Sequence, residues 1–399
     1  MKKQRQKLSQ AMLFILLLGV VSLFSDVTHE GAASIRGAYL GLLGASATVI
    51  GFVSGLGELL GYSLRFVFGI ITDRTHRYWE MTLLGYAIDV LAVPALALVH
   101  EDGWKWACLL LILERTGKAI KKPAKNTILS FAASQEGAGK SFAIQEALDQ
   151  LGAFLGPMML FVVMKLKTGT SYEVYSACFA VLAIPAVLTL LTLFWAKKKF
   201  PHPEKFEPES EKIEPFKMKP VFAVYLLAIG LFAFGFIDFS LITMHVDKTG
   251  LFKEEQLPLL YAAAMLIDAA AAVVFGLLYD KKGLHSLIIS TLLSAPFALL
   301  IFGFDSKAAI FAGVLLWGVG MGAQESVLKA VVTNLLPKHN RAAGYGIFEF
   351  SFGIFWFLGS WLAGRLYDSS KAALIAVSLS AQLLSVPLYV CAARLKSKD

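Results

Sequence analysis

Long apolar stretches separated by short polar segments recur along almost the whole chain. A helix crosses a bilayer core of about 30 Å with roughly 20 apolar residues, and these stretches match or exceed that length. The pattern predicts spans at 10–35, 44–70, 79–99, 104–127, 141–166 and 171–196. It predicts six more at 220–245, 257–279, 284–304, 308–335, 342–367 and 372–393. Tilt accommodates the longer ones, and membrane helices tolerate the glycines and prolines inside them. Between the two sets lies 197–219, with Lys197, Lys198, Lys199, Pro201, Pro203, Pro208, Pro215 and alternating Glu and Lys. It reads as a polar linker. The expected organisation is a six-helix bundle at 1–196, a cytoplasmic linker at 197–219 and a second six-helix bundle at 220–399.

Charge sets the orientation. Alternate connections carry Arg74 and Arg77, then Lys121, Lys122, Lys125 and Lys140, then Lys197–Lys199. The same side carries Lys281, Lys282, Lys338, Arg341, Arg394, Lys396 and Lys398, whereas the opposite loops hold scattered bases such as Lys165, Lys248 and Lys307. The positive-inside rule then places both termini in the cytoplasm, in an inner-membrane, multi-pass arrangement. The basic start (Lys2, Lys3, Arg5, Lys7) resembles a signal peptide, but the apolar run continues through Asp26, Glu30 and Arg36. It is read as an uncleaved first helix.

Composition agrees. The chain is 57% hydrophobic and 17% charged, with 30 phenylalanines, and its mean hydropathy is +0.64. Twelve spans leave no room for a soluble catalytic domain, so an enzyme is not expected. The net charge of +8 lies in the loops that encode topology and does not point to nucleic acid. Cys108, Cys178 and Cys391 sit in apolar stretches and form no metal or disulfide pattern. No phosphate loop of the Walker type and no Gly-x-Ser-x-Gly nucleophile is present. No metal and no cofactor is expected.

Two segments repeat across the halves. Gly69-Ile-Ile-Thr-Asp73-Arg74-Thr-His-Arg77 follows the second span, and Gly276-Leu-Leu-Tyr-Asp280-Lys281-Lys282 follows the eighth. Both are Gly-x-x-x-Asp followed by a base. Phe142–Pro157, with Glu146 and Gly156, pairs more loosely with Tyr345–Ser360, with Glu349 and Gly359.

On these residues the chain resembles the major facilitator superfamily. Gly69, Asp73, Arg74 and Arg77 resemble its loop signature between helices two and three. Gly152-Ala-Phe-Leu-Gly156-Pro157 resembles the Gly-Pro motif of its proton-driven exporters, and Arg115 a buried arginine implicated there in proton coupling. His76 and Tyr78 replace a glycine and a base of the loop signature, while Leu160 and Phe161 replace paired glycines after the Gly-Pro. The resemblance implies an all-α membrane fold of twelve helices in two pseudo-symmetric bundles. It also implies secondary active transport by alternating access.

Ionisable residues inside spans cost about 2.5–3.5 kcal/mol each at the helix centre and are functional candidates. Asp26 and Glu30 share one face of the first span, with His29 nearby. Two carboxylates that repel when both are charged suit a site that takes up and releases a proton. The expected proton-coupling set is Asp26, Glu30 and Arg115. The alternative is that Arg36 or Arg115 neutralises the pair structurally. Glu114 and Lys118 are spaced for an intrahelical ion pair, as are Glu325 and Lys329, while Glu58, Tyr62 and Arg65 share a face and suggest a self-neutralised pair. Lys121 and Lys122 are expected to snorkel to the cytoplasmic end, and Asp89 is a weaker candidate.

The expected substrate cavity comprises Glu58, Glu114, Lys118, Glu146, Asp149, Asp238, Asp268, Glu325 and Glu349. Gating is assigned to Gly69, Asp73, Arg74, Arg77, Gly276, Asp280 and Lys281, with the glycines permitting close helix approach. Tight helix packing is assigned to Gly152, Gly156 and Pro157. The expected partners are a small-molecule substrate, protons and membrane lipid, around a monomer. The leading expectation is export of a small solute against proton entry. The rivals are uptake by proton symport, and a non-transporting receptor or lipid-handling protein on a transporter scaffold.

Overall fold

The structure, a computed structural model, describes residues 9–206, 220–335 and 341–396, without side chains at 138–140, 142–143, 325, 328–330, 332–335, 341–344 and 396. Among these residues it is helical throughout, with no strand. The helices are α1 (Gln10–Leu42), α2 (Ala47–Thr75), α3 (Tyr78–Ala95), α4 (Trp104–Glu136), α5 (Ala138–Leu166), α6 (Ser171–Val181), α7 (Ala183–Lys199) and α8 (Pro220–Gly235). They continue as α9 (Phe239–Thr249), α10 (Leu257–Lys282), α11 (His285–Ser294), α12 (Phe297–Phe302), α13 (Lys307–Leu335), α14 (Arg341–Ser369) and α15 (Lys371–Lys396).

Among the described residues, eleven segments are long and apolar enough to cross a membrane, counting α6–α7, α8–α9 and α11–α12 each as one. The twelfth crossing is α4, which at 33 residues is long enough but carries too many charges to register as apolar. An even number of crossings brings both chain ends to one face, called proximal below; the opposite face is distal.

Three spans expected as continuous are broken. α6 gives way to α7 at Leu182, just ahead of Pro185, and α11 to α12 around Ala295 and Pro296. Proline fits the first turn of the second segment but cannot continue the first. The break at Phe236–Asp238 lies deep in the bundle, where freed carbonyls need partners. Gly235 O accepts from Ser378 Oγ at 2.6 Å, and Ile237 O from Trp317 Nε1 at 2.9 Å. The Asp238 carboxylate accepts the Ser240 N–H at 2.8 Å and so caps α9. Phe236 is enclosed by Phe232, Phe297, Trp317 and Trp356.

Glycines set the helix contacts, and they do so symmetrically. A Cβ on Gly156 would lie 2.7 Å from Gly31 N on α1, and one on Gly152 3.0 Å from Asp26 Cβ. In the other half, a Cβ on Gly359 of α14 would lie 2.7 Å from Phe234 Cα on α8. Gly156 and Gly359, matched in the looser sequence repeat, therefore occupy equivalent contacts. The α2–α14 contact joins the halves and is equally close, since a Cβ on Gly55 would meet Phe357 Cα at 2.9 Å.

The distal face is closed by cross-half contacts. Asp368 on α14 accepts from Thr48 N at 2.8 Å and Thr48 Oγ1 at 2.6 Å, at the start of α2. Ser171 Oγ donates to Glu254 at 2.5 Å. The proximal face differs. Asp73, Arg74, Arg77, Asp280 and Lys281 are all exposed, and none forms an ion pair among the described residues. The expected close approach at the loop glycines is also absent: a Cβ on Gly69 would meet only Pro123 at 3.8 Å, and one on Gly276 nothing within 4 Å.

His76 is the only non-glycine residue with positive φ among those described (φ 54°), and it caps the C-terminus of α2. Left-handed backbone favours glycine, the residue this signature usually has there. Contact with the Tyr78 hydroxyl at 3.0 Å holds the imidazole in place.

Candidate functional site in the interior of the bundle

The interior charges form a network around α4. Glu114 is almost fully buried, and Lys118 one turn on contacts its Oε1 at 3.1 Å, so the expected intrahelical pair forms. Arg115 Nη1 meets Glu58 Oε1 of α2 at 2.7 Å. The arginine stem passes where a Cβ on Gly57 would sit, 2.8 Å from Arg115 Cγ.

Three expectations change here. Arg115 does not face Asp26 or Glu30 as an ion-pair partner, because Glu58 takes it. Glu58 and Arg65 do not neutralise each other, because Arg65 reaches across the halves to Glu349 at 3.5 Å. Lys121 does not snorkel; it turns inward to Asp89 on α3 and to Ser25 Oγ at 2.9 Å, with its ammonium 3.9 Å from the Tyr86 ring centroid.

His29 ties these groups together. Its Nε2 lies 2.9 Å from Asp89 Oδ2 and its Nδ1 3.2 Å from Glu114 Oε1, with all three side chains buried. One donor from each of His29, Asp89 and Glu114 falls within 4.8 Å of the others, a spacing compatible with a single metal ion. The carboxylates are already engaged, however. Lys121 holds Asp89, while Lys118, Arg115 and Arg36 surround Glu114, the arginines at 3.7 Å. A dication would have to displace these four cations, so the cluster fits a self-neutralised network better than a metal centre.

That network makes a stability prediction. Removing one member of a buried ion pair leaves an uncompensated charge and costs about 3–5 kcal/mol. Lys121→Met is expected to destabilise the purified protein by about that amount in thermal or denaturant unfolding. Adding Asp89→Asn should recover most of the loss. If K121M alone melts like wild type, the Asp89 pair contributes nothing.

A second group lies between the halves. Glu30 on α1 accepts from the Tyr261 hydroxyl of α10 at 2.5 Å. Gln150 on α5 donates to Asp268 of α10 at 3.3 Å. Arg36 Nε donates to Ser240 Oγ, at the start of α9, at 3.1 Å. Asp26 is half-buried on the Glu30 face and has no hydrogen bond or ion pair among the described residues. Asp149 accepts from Gln145 at 3.1 Å, and Glu146 is exposed. The side chains of Glu325 and Lys329 lie outside the described residues.

The structure thus brings Glu30 and Asp268 to the interface, leaves Asp26 and Asp149 beside Glu30 and Gln145 within the first half, and places Glu58, Glu114, Arg115 and Lys118 in the α4 network. Asp238 serves as a helix cap. Sequence reasoning missed the roles of His29, Arg36, Asp89 and Tyr261. The one available signal was their polarity inside apolar spans.

Comparison with known proteins agrees with this architecture. The profile of the Major Facilitator Superfamily matches residues 8–360, with a second match over 252–393. An uncharacterised protein of Mycobacterium tuberculosis (strain ATCC 25618 / H37Rv) is 37% identical over 382 residues, covering 94% of this chain and 91% of its own. An uncharacterised MFS-type transporter of Methanocaldococcus jannaschii is 25% identical over 375 residues, 89% of each chain. Among solved structures, a bacterial homologue of the human lysosomal transporter Spinster, inward-facing and occupied, superposes with a TM-score of 0.75 at 15% identity, over 95% of this chain and 96% of that one. The nucleoside transporter NupG superposes with a TM-score of 0.72 at 14% identity, over 96% and 99%. At such identities the structures share the fold alone. This chain is a multi-pass membrane protein belonging to the Major Facilitator Superfamily.

Proposed function

We propose that the protein is a proton-coupled exporter, exchanging a small cationic or zwitterionic solute for protons by alternating access. The observation that carries this reading is the Asp26–Glu30 face of α1, two carboxylates without a cation within ion-pair distance among the described residues. One of them touches Tyr261 of the other half. A charged Glu30 can only accept the tyrosine hydroxyl, whereas a protonated one can also donate. Proton binding therefore alters a contact between the moving parts. Arg115, held by Glu58, acts on this site through the field of the α4 network. Asp268 at the interface, with Asp149 and Glu146 on α5, adds negative charge, which favours a cationic group on the solute.

In this reading 1–196 and 220–399 rock about a central cavity, joined by the 197–219 linker. The basic loops place the proximal face in the cytoplasm, so closed distal contacts and exposed proximal motifs describe an inward-facing state. Asp73, Arg74, Arg77, Asp280 and Lys281 would engage neighbouring helices when the cytoplasmic side closes. The protein acts as a monomer in the inner membrane.

The test is flux in proteoliposomes with an imposed pH gradient, using a panel of organic cations, amino acids and neutral sugars. A solute that accumulates against the direction of proton flow supports export. Accumulation alongside proton flow overturns antiport in favour of symport, and a response confined to the sugars overturns the charge preference.

A further inference from the structure

The distal loops carry few bases, yet two of them converge on one place. A cavity of about 250 Å³ opens on the distal side of the C-terminal half, lined by His245, Lys248, Asp305, Tyr367 and Lys371 together with Thr249 and Leu251. The Lys248 ammonium lies 5.8 Å and the Lys371 ammonium 5.6 Å from the centroid of the same Tyr367 ring. Neither lysine is ion-paired among the described residues, and Asp305 is likewise without an ion pair there.

The floor of the cavity is fixed. His245 is 2% exposed, and its Nε2 lies 3.1 Å from the Ile301 carbonyl. A carbonyl only accepts, so Nε2 carries the proton and Nδ1 presents a lone pair. That lone pair accepts the Tyr367 hydroxyl at 3.0 Å. In the neutral imidazole, the phenol proton is thus turned away from the cavity. Phe302 packs edge-on to Tyr367, with ring centroids 6.0 Å apart. Thr249 donates its own hydroxyl to Val246 O at 2.7 Å. What remains to meet a ligand is two ammoniums on an aromatic surface, with the Asp305 carboxylate lining the same cavity and Asp247 close enough to act on Lys248.

Two like charges lining one cavity repel, and an anion held between them offsets that repulsion. We propose that this cavity binds a small oxyanion, a carboxylate or phosphate group lodged between Lys248 and Lys371 above the Tyr367 ring. The site is separate from the Asp26–Glu30 interface and does not depend on the proposed exchange. It adjoins the distal closure, because Tyr367 precedes Asp368, the residue that receives Thr48 from the other half. A bound anion would brace the end of α14 where that contact forms, favouring the closed distal face.

The same chemistry can come from a free oxyanion or from a lipid headgroup, and the test separates them. Thermal unfolding and calorimetric titration of the purified protein in a neutral detergent would use inorganic phosphate at constant ionic strength. The expected result is saturable binding that Lys248→Gln/Lys371→Gln weakens by about tenfold or more. Asp305→Asn should tighten binding by about threefold by removing the like charge that lines the cavity. A second arm compares nanodiscs of phosphatidylglycerol with nanodiscs of phosphatidylcholine. Stabilisation by phosphatidylglycerol that the double variant loses, with no response to phosphate, assigns the site to a headgroup. Phosphate binding unchanged in the double variant overturns the proposal, as does the absence of any response in both arms.

Discussion

Glu30→Gln is expected to abolish accumulation driven by a pH gradient, by about 100-fold, while solute exchange at equal pH on both sides continues. The magnitude corresponds to the upper range of coupling free energies between linked sites. The argument is local. Glutamine keeps the size of the side chain and can still accept from Tyr261, which donates to Glu30 at 2.5 Å in the wild type. It cannot gain or lose a proton. Exchange needs only the binding site and the rocking motion, whereas net accumulation needs a change of protonation in each cycle. Asp26→Asn provides the companion measurement, since Asp26 lies one turn away without a partner among the described residues. If E30Q accumulates solute like wild type under a pH gradient, Glu30 carries no coupling proton. If both exchange and accumulation vanish, the contact to Tyr261 is structural.

Gly55→Leu is expected to reduce net flux below detection while leaving both bundles folded. Its Cβ would fall 2.9 Å from Phe357 Cα and 2.9 Å from Phe357 O. These are backbone atoms, so no rotamer change relieves the overlap. The clash lies between α2 and α14, in different halves, and moving the halves apart on the distal side removes it. The variant should therefore unfold within a few degrees of wild type but stay open distally. Thr48→Cys, placed in the Gly55→Leu background, should then react with a membrane-impermeant maleimide faster than in the wild-type background. Wild-type flux in Gly55→Leu would show that the α2–α14 contact does not form during the cycle.

Hydropathy alone made most of this fold legible. The expected spans fall on the observed helices, and the expected span 104–127 falls on α4 even though its charges hide it from an apolar criterion. The glycine contacts were half legible: Gly152 and Gly156 stood out as a four-spaced small face, whereas Gly37, Gly51 and Gly55 did not. Each of those three needs a partner from the other half to acquire meaning. The break before Asp238 had a signal in the Gly235-Phe-Ile-Asp238 run, where an aspartate shortly after a glycine suits a helix N-cap. A long apolar average masked it.

The charge network was the least legible part. Periodicity fixes which residues share a helix face, and it recovered Glu114 with Lys118. It cannot choose among partners on other helices. Arg115 had Asp26, Glu30 and Glu58 within conceivable reach, and the structure gives it Glu58. His29 was noticed only as a neighbour of Asp26, yet it contacts Asp89 and Glu114 from α3 and α4. Those two residues lie 60 and 85 positions further along the chain.

The charges on α4 also bear on how the chain is made. Glu114, Arg115, Lys118, Lys121, Lys122 and Lys125 fall within 12 residues of one helix. At about 2.5–3.5 kcal/mol for each charge near the helix centre, α4 presented alone to the insertion machinery would partition poorly into lipid. Its partners Glu58, Asp89, His29 and Arg36 are all synthesised earlier, on α1, α2 and α3. The three preceding helices therefore offer a polar surface inside the membrane onto which α4 is expected to dock. Insertion of this half is expected to be ordered, with the fourth helix waiting on the first three.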